Sequence, residues 1–478
     1  MKLSKLTSLV FVLGAILYSP KVDAQNVPNI LESGRESRLL LVQVNSQDPK
    51  FYIKRGEARL ESGDLKGAIE DYNQALRINP NHVGAYINRG NARRELGDFK
   101  EAIEDYNQAL RLNPNFAEAY INIGNARGQS GDLKGAIEDY NQALHLNPNL
   151  AEAYLARSNT RRELGDMKGA IEDSNQAVRL KPNFAEAYVN RGAARAQSRD
   201  MKGAIEDFNQ ALRINPNLAE AYNNRGRSQF LSGDMKGAIE DFNQALRLNP
   251  NYVTVYTNRG DTRLESGDIK GAIEDYSQAL LLNPNDAKAY YNRGNALREL
   301  GYAEGAIEDY SQVLRLNPNV AEVYIIRGLT RRASGDIKGA IDDYSQALRL
   351  NPNDEKTYIT YINRGTALAI SGDLKGAIDD FNQAIQINPN IALAYINRGN
   401  ARSQLENVKE AMEDYNQALR LNPNLAQGYL NRGLTRRESG DEKGATADLQ
   451  RASELFQQQG KTAEYQSTLN LLREINNK

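Results

Sequence analysis

The residue types that carry most enzyme chemistry are scarce in this sequence. It has no cysteine and only two histidines, His82 and His145, which excludes thiol catalysis and leaves too few ligands for the usual zinc sites. A Gly-Lys-Thr tripeptide at 460–462 resembles the end of a phosphate-binding loop, but Leu455 stands where that motif requires glycine. Aspartate and glutamate recur with a fixed period, as solvated helix faces do. We therefore expect no enzyme, no cofactor and no metal site.

The net charge of the chain indicates which kinds of partner it can bind. Among 478 residues, 60 lysines and arginines oppose 61 aspartates and glutamates, so the net charge is −1. A chain without a strong positive field is not steered onto nucleic acid or onto an anionic membrane surface. The sequence therefore predicts protein or peptide clients as partners, and no nucleic acid.

The first 24 residues have the composition of an export signal. Two lysines precede an apolar run from 6 to 18, and small residues precede a predicted cleavage point before Gln25. The run is shorter than the roughly 20 residues that span a bilayer. We predict a cleaved signal peptide at 1–24 and no membrane span after cleavage, with an uncleaved anchor helix as the alternative. A polar connector at 25–48 follows.

A 34-residue period dominates the rest of the chain. An Asn-Pro-Asn or Lys-Pro-Asn tripeptide recurs every 34 residues, except before Pro389, where the interval is 37. Small and aromatic residues hold fixed places within each period. In the third unit these are Tyr120, Gly124, Ala136, Tyr140 and Ala143. A period of this length indicates helix–turn–helix units that bury their apolar faces against neighbouring units.

This pattern resembles the tetratricopeptide repeat family over almost the whole chain after the connector. The resemblance implies an all-α fold, a right-handed superhelical solenoid of twelve repeats at 49–459, with a C-terminal capping helix and tail at 460–478. Each repeat has a helix A followed by a helix B, and positions are counted from its first residue. The first residues are Pro49, Val83, Ala117, Ala151, Ala185, Ala219, Val253, Ala287, Ala321, Tyr358, Ala392 and Ala426.

The turns predict how the helices begin. A Gly-Asp pair, such as the one at 131–132, stands between helices A and B of most repeats, and its aspartate is expected to cap helix B. The asparagine after each proline, such as Asn149 or Asn183, is expected to cap the next helix A. Three extra residues in repeat ten are expected to lengthen its helix A by nearly a turn. They either bend the solenoid or are neutral.

Arginine and aspartate recur where their charges could meet. Position 7 is arginine in eleven repeats, with Ile123 the exception, although the family pattern has leucine there. Position 11 is arginine in nine repeats, and position 23 is aspartate in all twelve. Because an unpaired half-buried charge is unfavourable by several kcal/mol, we expect Arg–Asp ladders inside the fold. An anion-binding groove is the alternative, which the neutral net charge disfavours.

Asparagines recur on the face of helix A that lines the groove in the family. This row resembles the asparagine ladder of O-linked N-acetylglucosamine transferase, which grips the backbone of extended peptides. An amide both donates and accepts, so it can pair a peptide group in either direction. The partner-binding residues predicted on this basis are Asn88, Asn122, Asn190, Asn224, Asn258, Asn292, Asn363, Asn397 and Asn431 at position 6, Asn91, Asn125 and Asn159 at position 9, and Tyr291 at position 5. Uniform asparagines could equally reflect recent duplication.

The sequence thus favours a monomeric, non-enzymatic scaffold that binds extended client segments in a concave groove. Its repeats and its signal resemble secreted tetratricopeptide arrays common in cyanobacteria. That resemblance implies export to the periplasm, the thylakoid lumen or the extracellular space, and a role in assembling envelope or photosynthetic complexes. The alternative is a structural or self-associating repeat protein with no dedicated peptide groove.

Overall fold

A computed structural model describes residues 48–352 and 354–476 of the chain. The predicted signal peptide and nearly all of the predicted connector lie outside the described residues. Within the described residues there are 25 helices and no strand. The chain forms two compact units, with the boundary after Ala194.

The helices alternate between A and B through the twelve repeats. They are α1 (Pro49–Glu61), α2 (Leu65–Ile78), α3 (Val83–Leu96), α4 (Phe99–Leu112), α5 (Ala117–Gln129), α6 (Leu133–Leu146), α7 (Ala151–Glu163), α8 (Met167–Leu180), α9 (Ala185–Gln197), α10 (Met201–Ile214), α11 (Ala219–Leu231), α12 (Met235–Leu248), α13 (Val253–Glu265), α14 (Ile269–Leu282), α15 (Ala287–Glu299), α16 (Ala303–Leu316), α17 (Ala321–Ala333), α18 (Ile337–Leu350), α19 (Thr357–Ser371), α20 (Leu374–Ile387), α21 (Ala392–Gln404), α22 (Val408–Leu421), α23 (Ala426–Glu438), α24 (Glu442–Gln458) and α25 (Thr462–Asn476). This confirms the predicted all-α array of helical hairpins.

Within each of the two compact units, the helix B of a repeat packs on helix A of its own repeat and on helix A of the next repeat. Close approach within a hairpin depends on the small residue at position 8 and the aromatic at position 24. A Cβ atom added to Gly90 would lie 2.5 Å from Cε1 of Tyr106, a distance that real contacts do not reach. The tyrosine ring therefore occupies the space that any side chain larger than hydrogen would need at position 8. Both Gly90 and Tyr106 are buried.

The turn between helices A and B has the predicted chemistry. Gly97 has φ 89°, in the left-handed region that favours glycine. The Oδ1 atom of Asp132 accepts a hydrogen bond of 2.9 Å from the backbone N–H of Gly135, as an N-cap does. Arg199 and Glu406 occupy the glycine place of two turns and keep its conformation, with φ 67° and 62°.

The predicted capping of helix A by the asparagine after proline is wrong. Helix α7 begins at Ala151, and Leu150 before it makes no side-chain cap. The backbone N–H of Asn149 instead donates to Oδ1 of Asn147, 3.1 Å away, within the turn. The capping place is one residue later, at position 34, where a polar side chain such as Asp286 does cap the following helix.

The three extra residues of repeat ten lie mostly in the turn before helix α19. That helix begins at Thr357, one residue before the first residue of the repeat, so it gains one residue at this end and not nearly a turn. The Thr357 hydroxyl donates to the backbone carbonyl of Asn351 at 2.9 Å. The turn therefore absorbs most of the insertion.

Helix α25 packs against the helix B of repeat twelve. Tyr465 contacts the buried cluster that includes Leu455 and Phe456, and Leu472 is itself buried. An extra helix on the last repeat shields apolar surface that a further repeat would otherwise cover. None of the helices in the described ranges is long and apolar enough to cross a membrane.

Candidate functional site

The position 7 arginines lie inside the hairpins rather than in an open groove. In repeat two, Nε of Arg89 donates to Oδ2 of Asp105 at 2.9 Å, and a second guanidinium N–H donates to the other carboxylate oxygen. Its third contact, from Nη1, goes to Oδ1 of Asn73 in repeat one at 2.6 Å. The guanidinium carbon also lies 5.5 Å from the ring centroid of Tyr86, within the range of a cation–π interaction.

This four-residue arrangement, which we call the arginine staple, links consecutive repeats. It joins position 7 to positions 4 and 23 of the same repeat and to position 25 of the preceding one. The Arg–Asp pair recurs as Arg55–Asp71, Arg89–Asp105, Arg157–Asp173, Arg225–Asp241, Arg259–Asp275, Arg293–Asp309, Arg327–Asp343, Arg364–Asp380, Arg398–Asp414 and Arg432–Asp448. The geometry supports internal Arg–Asp ladders over an anion-binding groove, since these guanidiniums are engaged by carboxylates.

Repeat three lacks the staple because Ile123 replaces the arginine. Its aspartate, Asp139, is only 8 % exposed. It keeps one ion pair, with Nη1 of Arg127 3.0 Å from Oδ2, and this contact lacks hydrogen-bond geometry. Burial raises the pKa of Asp139 to about 6, although Arg127 pulls it down.

The predicted ladder residues lie along the helix A face, and most are half-buried. These are Asn88, Asn91, Asn122, Asn125, Asn224, Asn258, Asn292, Asn363, Asn397, Asn431 and Tyr291, whereas Asn159 is exposed. The ring of Tyr291 packs 6.2 Å from that of Tyr310. At position 5 of repeat seven, Thr257 stands where the outer repeats have an aliphatic residue.

Several amides at position 6 reach back to position 9 of the preceding repeat. Nδ2 of Asn431 donates to Oδ1 of Asn400 at 2.7 Å, and that same oxygen accepts from the Tyr415 hydroxyl at 3.0 Å. Asp261 joins Asn292 and Tyr276 in the same way, both at 2.8 Å. Each bridge occupies one of the two N–H groups of the position 6 amide, so a second N–H remains for a ligand. The Asn431 oxygen accepts from Nε2 of Gln427 at 2.7 Å, which leaves it one further lone pair.

The tyrosine in this bridge donates its proton. Burial raises the pKa of Tyr276, and the neighbouring Asp261 carboxylate raises it further. At position 9, Asn91 and Asn125 likewise accept from the hydroxyls of Tyr106 and Tyr140, at 2.9 and 2.8 Å. The ladder therefore has a structural role between repeats in addition to any role in binding.

Asn190 departs from its predicted place on an accessible face. It is 5 % exposed, and its Nδ2 donates to Oγ of Ser158 at 2.6 Å. Arg162 donates to its amide oxygen at 3.0 Å. Repeat four has Ser158 in place of the glycine and Ser174 in place of the tyrosine, and these two hydroxyls are 2.7 Å apart. The small Ser174 leaves room in which the amide is buried, so Asn190 is not available to a client.

A cavity of about 450 Å³ opens on the helix A faces of repeats eleven and twelve. Two predicted ladder amides line it, those of Asn397 and Asn431, together with the amide of Asn400 at position 9. Apolar side chains complete the lining, among them Leu393 and Leu434. The structure thus brings predicted ladder residues together beside apolar surface in this part of the chain.

The sequence reasoning missed a second cavity, of about 260 Å³, beside the insertion in repeat ten. Its lining includes Ile325 of repeat nine and Lys356, Ile359 and Thr360 around the start of α19. The signal that could have found it is position 2, where glutamate recurs in repeats three to six and nine but isoleucine stands in repeat ten.

The comparisons with known proteins agree with this architecture. The TPR repeat family matches residues 56–93, 90–131, 158–198, 260–301 and 365–406. The tetratricopeptide repeat family matches 117–150, 185–218, 219–252, 287–320 and 392–425, with a further match at 321–354. Together these segments cover more than half of the chain. The chain belongs to the tetratricopeptide repeat family.

Among solved structures, several tetratricopeptide repeat proteins align with this one. MamA is 28% identical over 36% of this chain and 94% of its own, with a TM-score of 0.32. Yeast Tom70 is 17% identical over 90% of this chain and 95% of its own, with a TM-score of 0.34. PilF of Pseudomonas aeruginosa is 21% identical over 43% of this chain and 94% of its own, with a TM-score of 0.40. No curated protein matches the chain significantly.

Membership of the tetratricopeptide repeat family supports a protein–protein interaction scaffold. Such repeats present side chains from stacked helices to protein or peptide partners. Among the described residues, no group of histidine, aspartate and glutamate side chains is arranged to hold a metal ion. The chemistry on the helix A face is hydrogen bonding and apolar contact, which suits binding.

Proposed function

We propose that this tetratricopeptide repeat protein is a non-enzymatic scaffold that holds an extended segment of a client protein along its helix A faces. The observation that carries the proposal is the cavity lined by Asn397, Asn400 and Asn431 beside Leu393 and Leu434. An extended segment leaves its own peptide groups unpaired, and the unused amide groups of the ladder can satisfy them. Apolar side chains of the segment would pack on the adjacent leucines.

The proposal includes the place of action. The signal-like first 24 residues and the resemblance to secreted cyanobacterial arrays support export to the periplasm, the thylakoid lumen or the extracellular space, where the chain would act as a monomer. There it would assist assembly or biogenesis of envelope or photosynthetic complexes. Cell fractionation of the tagged full-length chain tests this, and recovery in the cytoplasm would contradict it.

Binding is tested with a displayed library of random 12-residue peptides, selected on residues 25–478, a range that includes every described residue. The ladder variant Asn363→Ala/Asn397→Ala should bind the selected peptides at least tenfold more weakly. Both side chains are half-buried, and the bond from Asn397 to Thr366 is long at 3.4 Å, so folding should be preserved.

The matched control is Gln383→Ala/Gln417→Ala, on helix B of the same two repeats. This variant removes two amides of similar chemistry from the other helix and should bind like the parent chain. Equal loss of binding in both variants, or in neither, contradicts a groove on the helix A face. Concentration-dependent sedimentation of the unliganded chain would favour the self-associating alternative.

A further inference from the structure

The insertion in repeat ten sits beside a cavity that combines surface from two consecutive repeats. Repeat nine contributes Ala321 and Ile325 from helix A and Leu348 from helix B. Repeat ten contributes Ile359 and Thr360, from the first turn of α19. We refer to this cavity as the repeat-ten pocket.

The insertion is accommodated without loss of the adjacent arginine staple. Nη1 of Arg364 donates to Oγ of Ser345 at 3.1 Å, across 19 residues rather than the usual 16. Arg364 also keeps its bidentate contact with Asp380, at 2.8 and 2.7 Å. Helices α18 and α19 are therefore held as in other repeats, and the three additional residues form surface beside the pocket.

Position 2 is apolar in repeats ten and eleven, whereas Glu322 of repeat nine keeps the glutamate of other repeats. Ile359 and Leu393 occupy position 2 of repeats ten and eleven and are 44 % and 53 % exposed. Repeats three to six and nine have glutamate at that position. Exposed apolar residues beside a cavity are a usual feature of interaction sites. Positions 5, 6 and 9 of repeats ten and eleven carry no charge.

The size of the pocket limits what can enter. An apolar cavity of about 150 Å³ accommodates a benzene ring, so about 260 Å³ is sufficient for one aromatic or large aliphatic side chain. Charged groups of both signs, Glu322, Asp354 and Lys356, are among its lining residues. Because charges of both signs line the pocket, it does not complement an occupant with a single strong charge. An apolar centre with polar residues around it is the usual form of an interface anchor site.

We propose that the repeat-ten pocket receives one uncharged, bulky side chain, aromatic or large aliphatic, from the client segment. The proposal rests on the proposed function, because the client is the extended segment bound along the neighbouring amides. It adds sequence specificity, because the amide ladder can hydrogen-bond to the backbone of any peptide, whereas this pocket requires an apolar side chain. A client with aspartate, glutamate or lysine at the anchor residue would be excluded.

The absence of cysteine from the chain permits a direct test by disulfide tethering. The variant Ile359→Cys places a single thiol at the pocket, and Glu220→Cys places one at the same position of repeat six. Each is equilibrated with the symmetrical disulfide of 2-phenylethanethiol or of 3-mercaptopropionate in the presence of excess 2-mercaptoethanol, so that the protein thiolate attacks the disulfide and releases one free probe thiol. The mixed disulfides are then quantified by intact-protein mass spectrometry. The Ile359→Cys variant should prefer the aromatic thiol over the carboxylate at least tenfold more strongly than the Glu220→Cys variant does. Equal preferences would overturn the pocket's assignment.

A deletion separates this inference from the ladder itself. Removing residues 355–357 restores the 34-residue period and the local sequence Asn-Pro-Asn-Asp that precedes α15 in repeat eight. Asp354 would then stand where Asp286 caps that helix, so a folded turn is expected. Peptides selected on the parent chain should be enriched in one aromatic or large aliphatic residue and bind the deletion variant at least tenfold more weakly.

The outcomes distinguish the two proposals. If the deletion leaves peptide binding intact while Asn363→Ala/Asn397→Ala abolishes it, the pocket inference fails and the ladder stands. If the deletion abolishes binding while the ladder variant retains it, the pocket stands as the anchor and the ladder proposal fails. A parent chain that sediments as a dimer, and whose deletion variant sediments as a monomer, would identify a second copy as the occupant and overturn the client assignment.

Discussion

Replacing Asp139 by asparagine should stabilise the protein, whereas the same change at Asp105 should destabilise it. Both are buried aspartates at position 23, but Asp105 has two guanidinium partners, Arg89 and Arg93. Asp139 has only Arg127, because Ile123 occupies the place of the other arginine. In Asp105→Asn two half-buried arginines lose their carboxylate, which should lower the free energy of unfolding by about 2 to 3 kcal/mol.

The magnitude for Asp139 follows from its pKa. Burial raises that pKa from 3.8 to about 6, and about two units correspond to roughly 3 kcal/mol of disfavoured ionisation at pH 7.5. Because the folded-state pKa lies above the unfolded one, ionisation of Asp139 lowers the free energy of unfolding. This loss of stability is negligible well below pH 4, grows as the pH rises to 6 and is constant above that. Asparagine removes the charge but retains a buried polar group. We therefore expect a net gain of about 1 to 2 kcal/mol at pH 7.5.

The measurement is urea unfolding of the parent and both variants at pH 7.5 and pH 4.5. Hydrogen exchange over residues 117–146 is followed in parallel, because repeat arrays need not unfold in one step. The difference in free energy of unfolding between Asp139→Asn and the parent should be about 2 kcal/mol smaller at pH 4.5 than at pH 7.5, because the parent's own carboxyl is protonated at pH 4.5. Destabilisation by Asp139→Asn at pH 7.5, comparable to that of Asp105→Asn, would refute the reasoning.

Three further substitutions test other parts of the same framework. Ile123→Arg supplies the missing guanidinium, so it should lower the pKa of Asp139 and raise the free energy of unfolding at pH 7.5. NMR titration of the Asp139 carboxyl carbon measures the pKa, and an unchanged value would contradict this. Glu406→Gly should stabilise by about 1 kcal/mol in urea unfolding, because a left-handed backbone is unfavourable for residues other than glycine; no gain would show that the turn is unstrained. Ser174→Tyr should lower the melting temperature by overpacking against Ser158, and Ser158→Gly should restore it in the double variant; independent effects of the two changes would refute the coupling.

The sequence was sufficient for features that repeat with the period. Helix positions, the aspartate caps before helix B and the pairing of position 7 with position 23 all follow from spacing, because each repeat supplies both partners at a fixed separation. Asp132 is one case, since its carboxylate lies three residues before the N–H that it caps. Such local geometry depends on chain connectivity and secondary structure alone.

Features that depend on packing between elements could not be predicted in the same way. The burial of Asn190 requires two changes elsewhere, Ser158 and Ser174, whose joint effect is visible only when the hairpins are assembled. The cap of helix A lies one residue later than predicted, because the helix begins at Ala151 and its N-cap place is Leu150 rather than Asn149. The repeat-ten pocket is lined by residues of the inserted turn, such as Lys356, and by residues of repeat nine, such as Ile325, so it is visible only when the two repeats are assembled.

The arginine staple has a consequence for how such a gene can change length. Its four members are divided between adjacent repeats, with position 25 in one and positions 4, 7 and 23 in the next. Recombination that adds or removes a whole 34-residue period therefore rejoins a complete set at the new boundary, wherever the crossover falls. A change of any other length breaks the set if it falls within a helix that carries one of the four members, whereas a turn between helices can absorb it. The intact contact from Arg364 to Ser345 shows that the three residues of repeat ten entered at such a permitted place.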